Sequence, residues 1–86
     1  MSKNIQVSEI AKFLNKNFIG QNLNINKVCP INNILDNSVT FLNKTEYNFS
    51  QSKKTLIISR ENFKIPSGLN CSFIFSLNPR LDFINV

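Results

Sequence analysis

Histidine and tryptophan are absent from this sequence of 86 residues, and glycine occurs only twice. Without histidine the chain has no imidazole general base, no catalytic triad built on one and no histidine-containing metal site. Gly20 and Gly68 are too far apart to form a glycine-rich loop that cradles phosphates. The commonest catalytic and nucleotide-binding motifs are therefore excluded.

Pairs of chemically active side chains are also scarce. Five carboxylates are scattered along the chain without a spacing that suggests an acid–base pair: Glu9, Asp36, Glu46, Glu61 and Asp82. The two cysteines, Cys29 and Cys71, form no C-x-x-C motif, which disfavours a metal knuckle or a redox pair. We therefore expect a binding module that has no catalytic residue, no metal and no cofactor of its own.

Long apolar runs are missing as well. The first residues, MSKNIQVSE, contain no apolar signal core, and no later run approaches the length of a membrane span. Both cysteines lie in apolar sequence, where free thiols act as small core residues and suit a reducing compartment. We therefore expect a soluble cytoplasmic protein without a membrane span.

Basic residues outnumber acidic residues by ten to five, which gives a net charge of +5. This excess favours an anionic partner. Only two of the ten are arginine, however, and the whole chain is rich in Asn, Ile and Lys, a bias that an AT-rich genome imposes. Nucleic-acid binding is thus a disfavoured alternative, whose sign would be an affinity for any polyanion that falls steeply with salt.

The spacing of apolar residues predicts short helices and short strands in mixed order. The predicted helices are one capped by Ser8, one over residues 45–54 and one that begins at Asn78-Pro79. The predicted strands are 18–19, a region around 25–31, 39–42, 56–58 and 71–75. Together they predict an α+β fold in one domain over residues 1–86, with a small mixed β-sheet flanked by two or three short helices.

The stretch Val39–Tyr47, VTFLNKTEY, is the most informative one for function. Its aromatic residues, Phe41 and Tyr47, bracket a polar run that includes Asn43 and Lys44. Ordinary core packing is one explanation of the two rings, because most aromatic residues in small domains lie in the core. The alternative is that the rings are the walls of a site with a polar floor.

The order of four segments resembles a known family. SEIAKFLNKNFIG, VTFLNKTEY, TLIIS and NPRLDFINV are similar, in this order, to the N-terminal domain of UDP-3-O-acylglucosamine N-acyltransferase, an enzyme of lipid A synthesis. The family has a helix like I-A-x-x-L, a segment T-F-x-x-N-P-K-Y, an apolar strand and a helix that opens N-P-x-L. The resemblance covers nearly all of the chain.

The resemblance implies a small domain that holds the uridine end of a nucleotide sugar. In the family a left-handed β-helix of hexapeptide repeats follows, and acyl transfer depends on a histidine in those repeats. This chain has neither, so the resemblance implies UDP-sugar binding without acylation by this chain alone, and a partner β-helix acyltransferase domain or chain. The Mur ligases of peptidoglycan synthesis have similar domains, which also hold uridine.

Carried over to this sequence, Phe41 and Tyr47 match the two aromatic positions that sandwich uracil in the acyltransferase. The family's Asn stands three residues after the Phe, where this chain has Lys44, and Asn43 lies one place earlier. The implied uridine-binding residues are therefore Phe41, Asn43, Lys44 and Tyr47. The displaced Asn favours an alternative, a protein-interaction domain that kept the fold and lost the ligand. An exposed apolar patch around Leu81, Phe83 and Ile84 would support that alternative.

Overall fold

The computed structural model describes residues 4–49 and 53–84. Two α-helices, α1 (Val7–Leu14) and α2 (Pro79–Ile84), accompany seven short strands. In chain order the strands are β1 (Ile5–Gln6), β2 (Phe18–Ile19), β3 (Asn24–Ile25), β4 (Lys27–Val28), β5 (Ser38–Leu42), β6 (Thr55–Arg60) and β7 (Ser72–Ser76). The predicted α+β fold with a small mixed sheet is confirmed.

The main sheet has five strands in the order β2-β7-β6-β5-β4. Strands β4 to β7 run parallel to one another, and β2 pairs antiparallel with β7. Parallel strands are buried on both faces and read as continuous apolar runs. Leu56, Ile57 and Ile58 of β6 illustrate this, because all three are fully buried. Strands β1 and β3 form a separate antiparallel pair.

The two faces of the main sheet are covered differently. On the helix face, Val39, Leu56 and Ile58 pack with residues of α1 and β3, and Phe83 of α2 packs against the same cluster. On the loop face, Ile57 and Phe73 pack with residues of the connecting segments. Those residues are Cys29, Ile34, Tyr47, Phe49, Phe63, Leu69 and Cys71. The described residues of all three connections between successive parallel strands therefore pack on the loop face, as a single crossover hand requires.

Helix α1 begins two residues earlier than the sequence predicted. Gln6 is the N-cap, and its backbone N–H lies 3.4 Å from Oε1 of Glu9. The prediction that Ser8 caps the helix is wrong, since Ser8 is the second residue of α1, where its backbone N–H donates to Oδ1 of Asn22. The helix ends at Asn15, which adopts the left-handed conformation common at helix C-termini.

The predicted helix over residues 45–54 is also wrong. Residues 45–49 and 53–54 are not helical, and residues 50–52 lie outside the described part of the chain. Thr, Asn and Ser are weak helix formers, and the packing of Tyr47 and Phe49 on the loop face explains why residues 45–49 are not helical. The helix at Asn78-Pro79 is confirmed, because Oδ1 of Asn78 accepts the backbone N–H of Leu81 at 3.3 Å.

Among the described residues, no helix combines the length and apolar character that crossing a bilayer requires. The strands predicted at 18–19, 39–42, 56–58 and 71–75 are present within one or two residues. The region around 25–31 is divided into β3, β4 and a 3-10 turn at Ile31–Asn33.

Candidate functional site

The carboxyl ends of β5, β6 and β7 lie along one edge of the main sheet, which we call the carboxyl edge. In open sheets of parallel strands, ligands commonly bind outside the carboxyl ends of the strands. Asn43 follows the last residue of β5, and Arg60 ends β6. Two adjoining clefts open at this position.

The first cleft, which we call the aromatic cleft, has a volume of about 400 Å³. The rings of Phe41 and Phe83 form part of its wall, with centroids 5.0 Å apart and planes inclined by 45°. The remaining wall comes from Cys29, Pro30, Ile31, Thr40, Leu42, Asn43 and Lys44. Most of this surface is apolar, as is common in pockets that bind planar organic groups.

Strand β4 is short, and this leaves space for the aromatic cleft. The backbone N–H of Cys29 donates to the carbonyl of Val39, and the next residue, Pro30 (φ −76°), is the N-cap of a 3-10 turn. The chain then turns away in the 3-10 turn at Ile31–Asn33. Strand β4 therefore ends well before β5, and the cleft forms along the second half of β5.

The second cleft, which we call the cationic cleft, also has a volume of about 400 Å³. Its lining residues are Asn43, Lys44, Thr45, Glu46 and Arg60. Nη1 of Arg60 donates to Oδ1 of Asn43 at 3.3 Å. Oε1 of Glu46 lies 3.3 Å from Nζ of Lys64, so the one carboxylate among these lining residues has its own cation. The charges of Lys44 and Arg60 are left in excess.

The predicted uridine-binding residues fall into two groups. Phe41, Asn43 and Lys44 line the aromatic cleft, and the latter two also line the cationic cleft. Tyr47 packs on the loop face, with its ring centroid 5.0 Å from that of Phe49 and 5.9 Å from Nζ of Lys44. A ligand that touches both Phe41 and Tyr47 would have to cross the carboxyl edge at Lys44. The uridine-binding role of these residues stays a prediction.

Two residues of this site were not found from the sequence. The sequence suggests Phe83 as part of an exposed apolar patch, but its ring packs against Phe41. Arg60 lies 17 residues after Asn43 and 16 after Lys44 in the chain. It comes close to them only because Leu42 of β5 is aligned with Ser59 of β6. Strand register is the signal that would have located Arg60, and local sequence does not contain it.

A buried hydroxyl lies one residue before Arg60. Ser59 is fully buried on the loop face, and its Oγ has no hydrogen-bond partner among the described residues. Its neighbours in the sheet are Leu42 and Phe75. A buried polar atom without a partner costs stability, so this position is not optimised for folding alone.

Within residues 4–49 and 53–84, no three His, Cys, Asp or Glu side chains come together as a metal site. No family model, curated protein or solved structure matches the chain. Function is therefore inferred from the residues and geometry of the carboxyl edge.

Proposed function

We propose that this chain is the UDP-sugar-binding domain of an acyltransferase-like protein in lipid A or cell-envelope glycan synthesis. The observation that supports this best is the junction of an aromatic cleft with a cationic cleft, which share Asn43 and Lys44. A nucleotide has the same division, because a planar base is joined to negatively charged phosphates.

Each half of the site suits one part of such a ligand. The uracil ring would pack against Phe41 in the aromatic cleft, and base–aromatic stacking contributes about 1–3 kcal/mol. The amide of Asn43 offers both a donor and an acceptor to the uracil edge. Lys44 stands between the two clefts, where its ammonium can approach a phosphate without strict geometry.

Acyl transfer is not assigned to this chain. The sequence contains no histidine, and any acylation would come from a partner β-helix domain or chain. A cytoplasmic location belongs to the same proposal. The free, buried thiols of Cys29 and Cys71 are consistent with a reducing compartment.

The proposal is tested by amide NMR titration with uridine diphosphate, with adenosine diphosphate as the comparison ligand. We expect uridine-selective shifts at residues 41–44 and at Phe83, with a Kd of about 0.1–10 mM for an isolated shallow site. Phe41→Ala should abolish these shifts. Phe13→Ala is the matched control, because Phe13 is an exposed ring on α1 that lines neither cleft. Equal shifts with both nucleotides, or none at about 10 mM ligand, would contradict uridine binding.

A protein-interaction domain is the second candidate, and the exposed apolar side chains near α2 favour it. Leu77, Leu81 and Ile84 are 84%, 53% and 64% exposed. Phe83 is not part of this patch, since it packs against Phe41. The two candidates separate in the titration, because an interaction domain without a ligand shows no uridine-selective shift.

A further inference from the structure

Arg60 holds a central position at the carboxyl edge. It is the last residue of β6 and is aligned with Ser76 on β7, while its guanidinium reaches Asn43 beyond β5. Its side chain lines the cationic cleft and also a smaller cleft of about 180 Å³. The smaller cleft is lined by Arg60, Glu61, Asn62, Ser76 and Leu77.

Among the described residues, the Arg60 guanidinium uses few of its hydrogen-bond donors. A guanidinium has five N–H donors, and Arg60 uses one of them on the neutral amide of Asn43. Arg60 is exposed, and among the described residues no carboxylate forms an ion pair with it. The remaining donors can therefore face a ligand in the cationic cleft.

The nearby carboxylates do not cancel the charge of the cationic cleft. Glu46 is paired with Lys64, and Oδ2 of Asp82 accepts the hydroxyl hydrogen of Ser76. Glu61 lines the smaller cleft and is not among the residues that line the cationic cleft. Lys44 and Arg60 thus face the cationic cleft together, and two cations in one concave surface attract an anion.

We propose that Arg60 binds the phosphate group of a ligand whose aromatic base occupies the aromatic cleft. This inference rests on the proposed function and adds the side chain that recognises the anionic half of the ligand. The planar guanidinium can bond two phosphate oxygens at once, which the ammonium of Lys44 cannot do in a fixed geometry. Asn43 is a positioning residue here, because its carbonyl oxygen holds the guanidinium at the cleft.

The test compares the affinities of uridine, uridine monophosphate and uridine diphosphate by NMR titration at low salt. In the natural chain we expect the diphosphate to bind about 10- to 100-fold more tightly than uridine, as hydrogen bonds to a charged group predict. Arg60→Gln should bring the diphosphate to within about threefold of uridine and leave uridine itself unchanged. Arg60→Lys should keep only part of the preference for the diphosphate over uridine. Lysine keeps the positive charge, but it has no planar guanidinium that bonds two phosphate oxygens at once.

Arg80→Gln is the matched control, since it removes the same charge from an exposed position on α2 that lines neither cleft. The amide spectrum of each variant checks that it is folded. Two results would overturn the role of Arg60 without contradicting uridine binding. One is that uridine and uridine diphosphate bind the natural chain with equal affinity. The other is that Arg60→Gln weakens the binding of both ligands by the same factor. Inorganic diphosphate is titrated separately. Shifts at Lys44 and Arg60 without any uridine selectivity would support the anion site and overturn the proposed function.

Discussion

The two edges of the parallel sheet carry similar polar residues but use them differently. At the amino edge, the hydroxyls of Ser38, Thr55 and Ser72 are fully buried. They donate to the backbone carbonyls of Asp36, Leu35 and Gln21, respectively. Each of these hydroxyls therefore holds a preceding loop to the first residue of a strand by a hydrogen bond.

At the carboxyl edge, Ser59 and Ser76 are buried, but three longer polar side chains remain accessible. Asn43, Lys44 and Arg60 are exposed, and the hydrogen bond between Arg60 and Asn43 leaves most of their donors and acceptors free. The clefts also lie at this edge. Polar residues that the fold does not need are the ones available to a ligand, so this contrast supports the proposed site at the carboxyl edge.

Substitution of Gly20 by alanine should give the largest loss of stability. Gly20 has a φ of +104°, and a Cβ atom there would lie 3.0 Å from Oγ of Ser72 and 3.1 Å from the carbonyl oxygen of Cys71. The positive φ is unfavourable for alanine, and the added Cβ atom would lie too close to Ser72 and Cys71. We therefore expect Gly20→Ala to lower the free energy of unfolding by about 2–4 kcal/mol. Chemical denaturation measures this change.

Gly68→Ala is the control for the Gly20 substitution. Gly68 also has a positive φ of +81°, but a Cβ atom there would have no neighbour within 4 Å. Its loss should be limited to backbone strain of about 1 kcal/mol. If both substitutions cost the same, close packing at the amino edge contributes nothing, and the contrast between the edges weakens.

Thr55 and Ser59 provide the next test, since both lie on β6 and on the same face of the sheet, and both are fully buried. Oγ1 of Thr55 donates to the carbonyl of Leu35 at 2.7 Å, whereas Oγ of Ser59 has no partner among the described residues. Thr55→Val should lower the free energy of unfolding by about 1–3 kcal/mol, because the Leu35 carbonyl is left unpaired. Ser59→Ala should be neutral or slightly stabilising for the opposite reason.

Urea denaturation of the two variants measures the difference. A cost of Ser59→Ala as large as that of Thr55→Val would show that the hydroxyl of Ser59 has a partner in solution. The buried hydroxyls at both ends of β6 would then be hydrogen-bonded, and the contrast between the two edges would be weaker.

At the carboxyl edge itself, loss of polar side chains should hardly affect folding. Asn43→Ala removes an exposed residue whose side chain accepts one hydrogen bond from an exposed arginine. We expect a change of at most about 0.5 kcal/mol in the free energy of unfolding, as for most surface substitutions. Thermal denaturation monitored by circular dichroism measures it. A loss above about 1 kcal/mol would make Asn43 a structural residue and would remove it from the candidate site.

Strands β2, β5, β6 and β7 and the final helix could be predicted from the sequence because their signals are local, whereas β1 was not predicted. Leu56, Ile57 and Ile58 form an apolar run with two β-branched residues, and Asn78-Pro79 combines a capping residue with a residue suited to the first helical turn. The segment of residues 45–54 could not be predicted in the same way. The conformation of residues 45–49 depends on the packing of Tyr47 and Phe49 against the loop face, which is a tertiary contact.

The candidate site was only partly predictable for a related reason. Phe41, Asn43 and Lys44 are neighbours in the chain, so one sequence segment suggests them together. Arg60 and Phe83 join them only through strand register and the packing of α2 on the helix face. The separation of Phe41 from Tyr47 likewise follows from the clusters in which their rings are packed.

The smallest expected effect is a pH dependence at the amino edge. Burial raises the pKa of the Cys71 thiol above its ordinary value of 9.0. Because the pKa is higher in the folded state, the unfolded chain loses this proton first as the pH rises. The stability contributed by the protonated thiol is therefore complete below pH 9.0 and declines as the pH rises through the folded-state pKa. Cys71→Ala should therefore lose less stability than the natural chain between about pH 9 and pH 10.5, although it starts from a lower value at pH 7. Urea denaturation across this range measures the two slopes. Identical slopes would mean that the thiol is solvated in the folded state, and the amino edge would then be less tightly closed than its hydrogen bonds indicate.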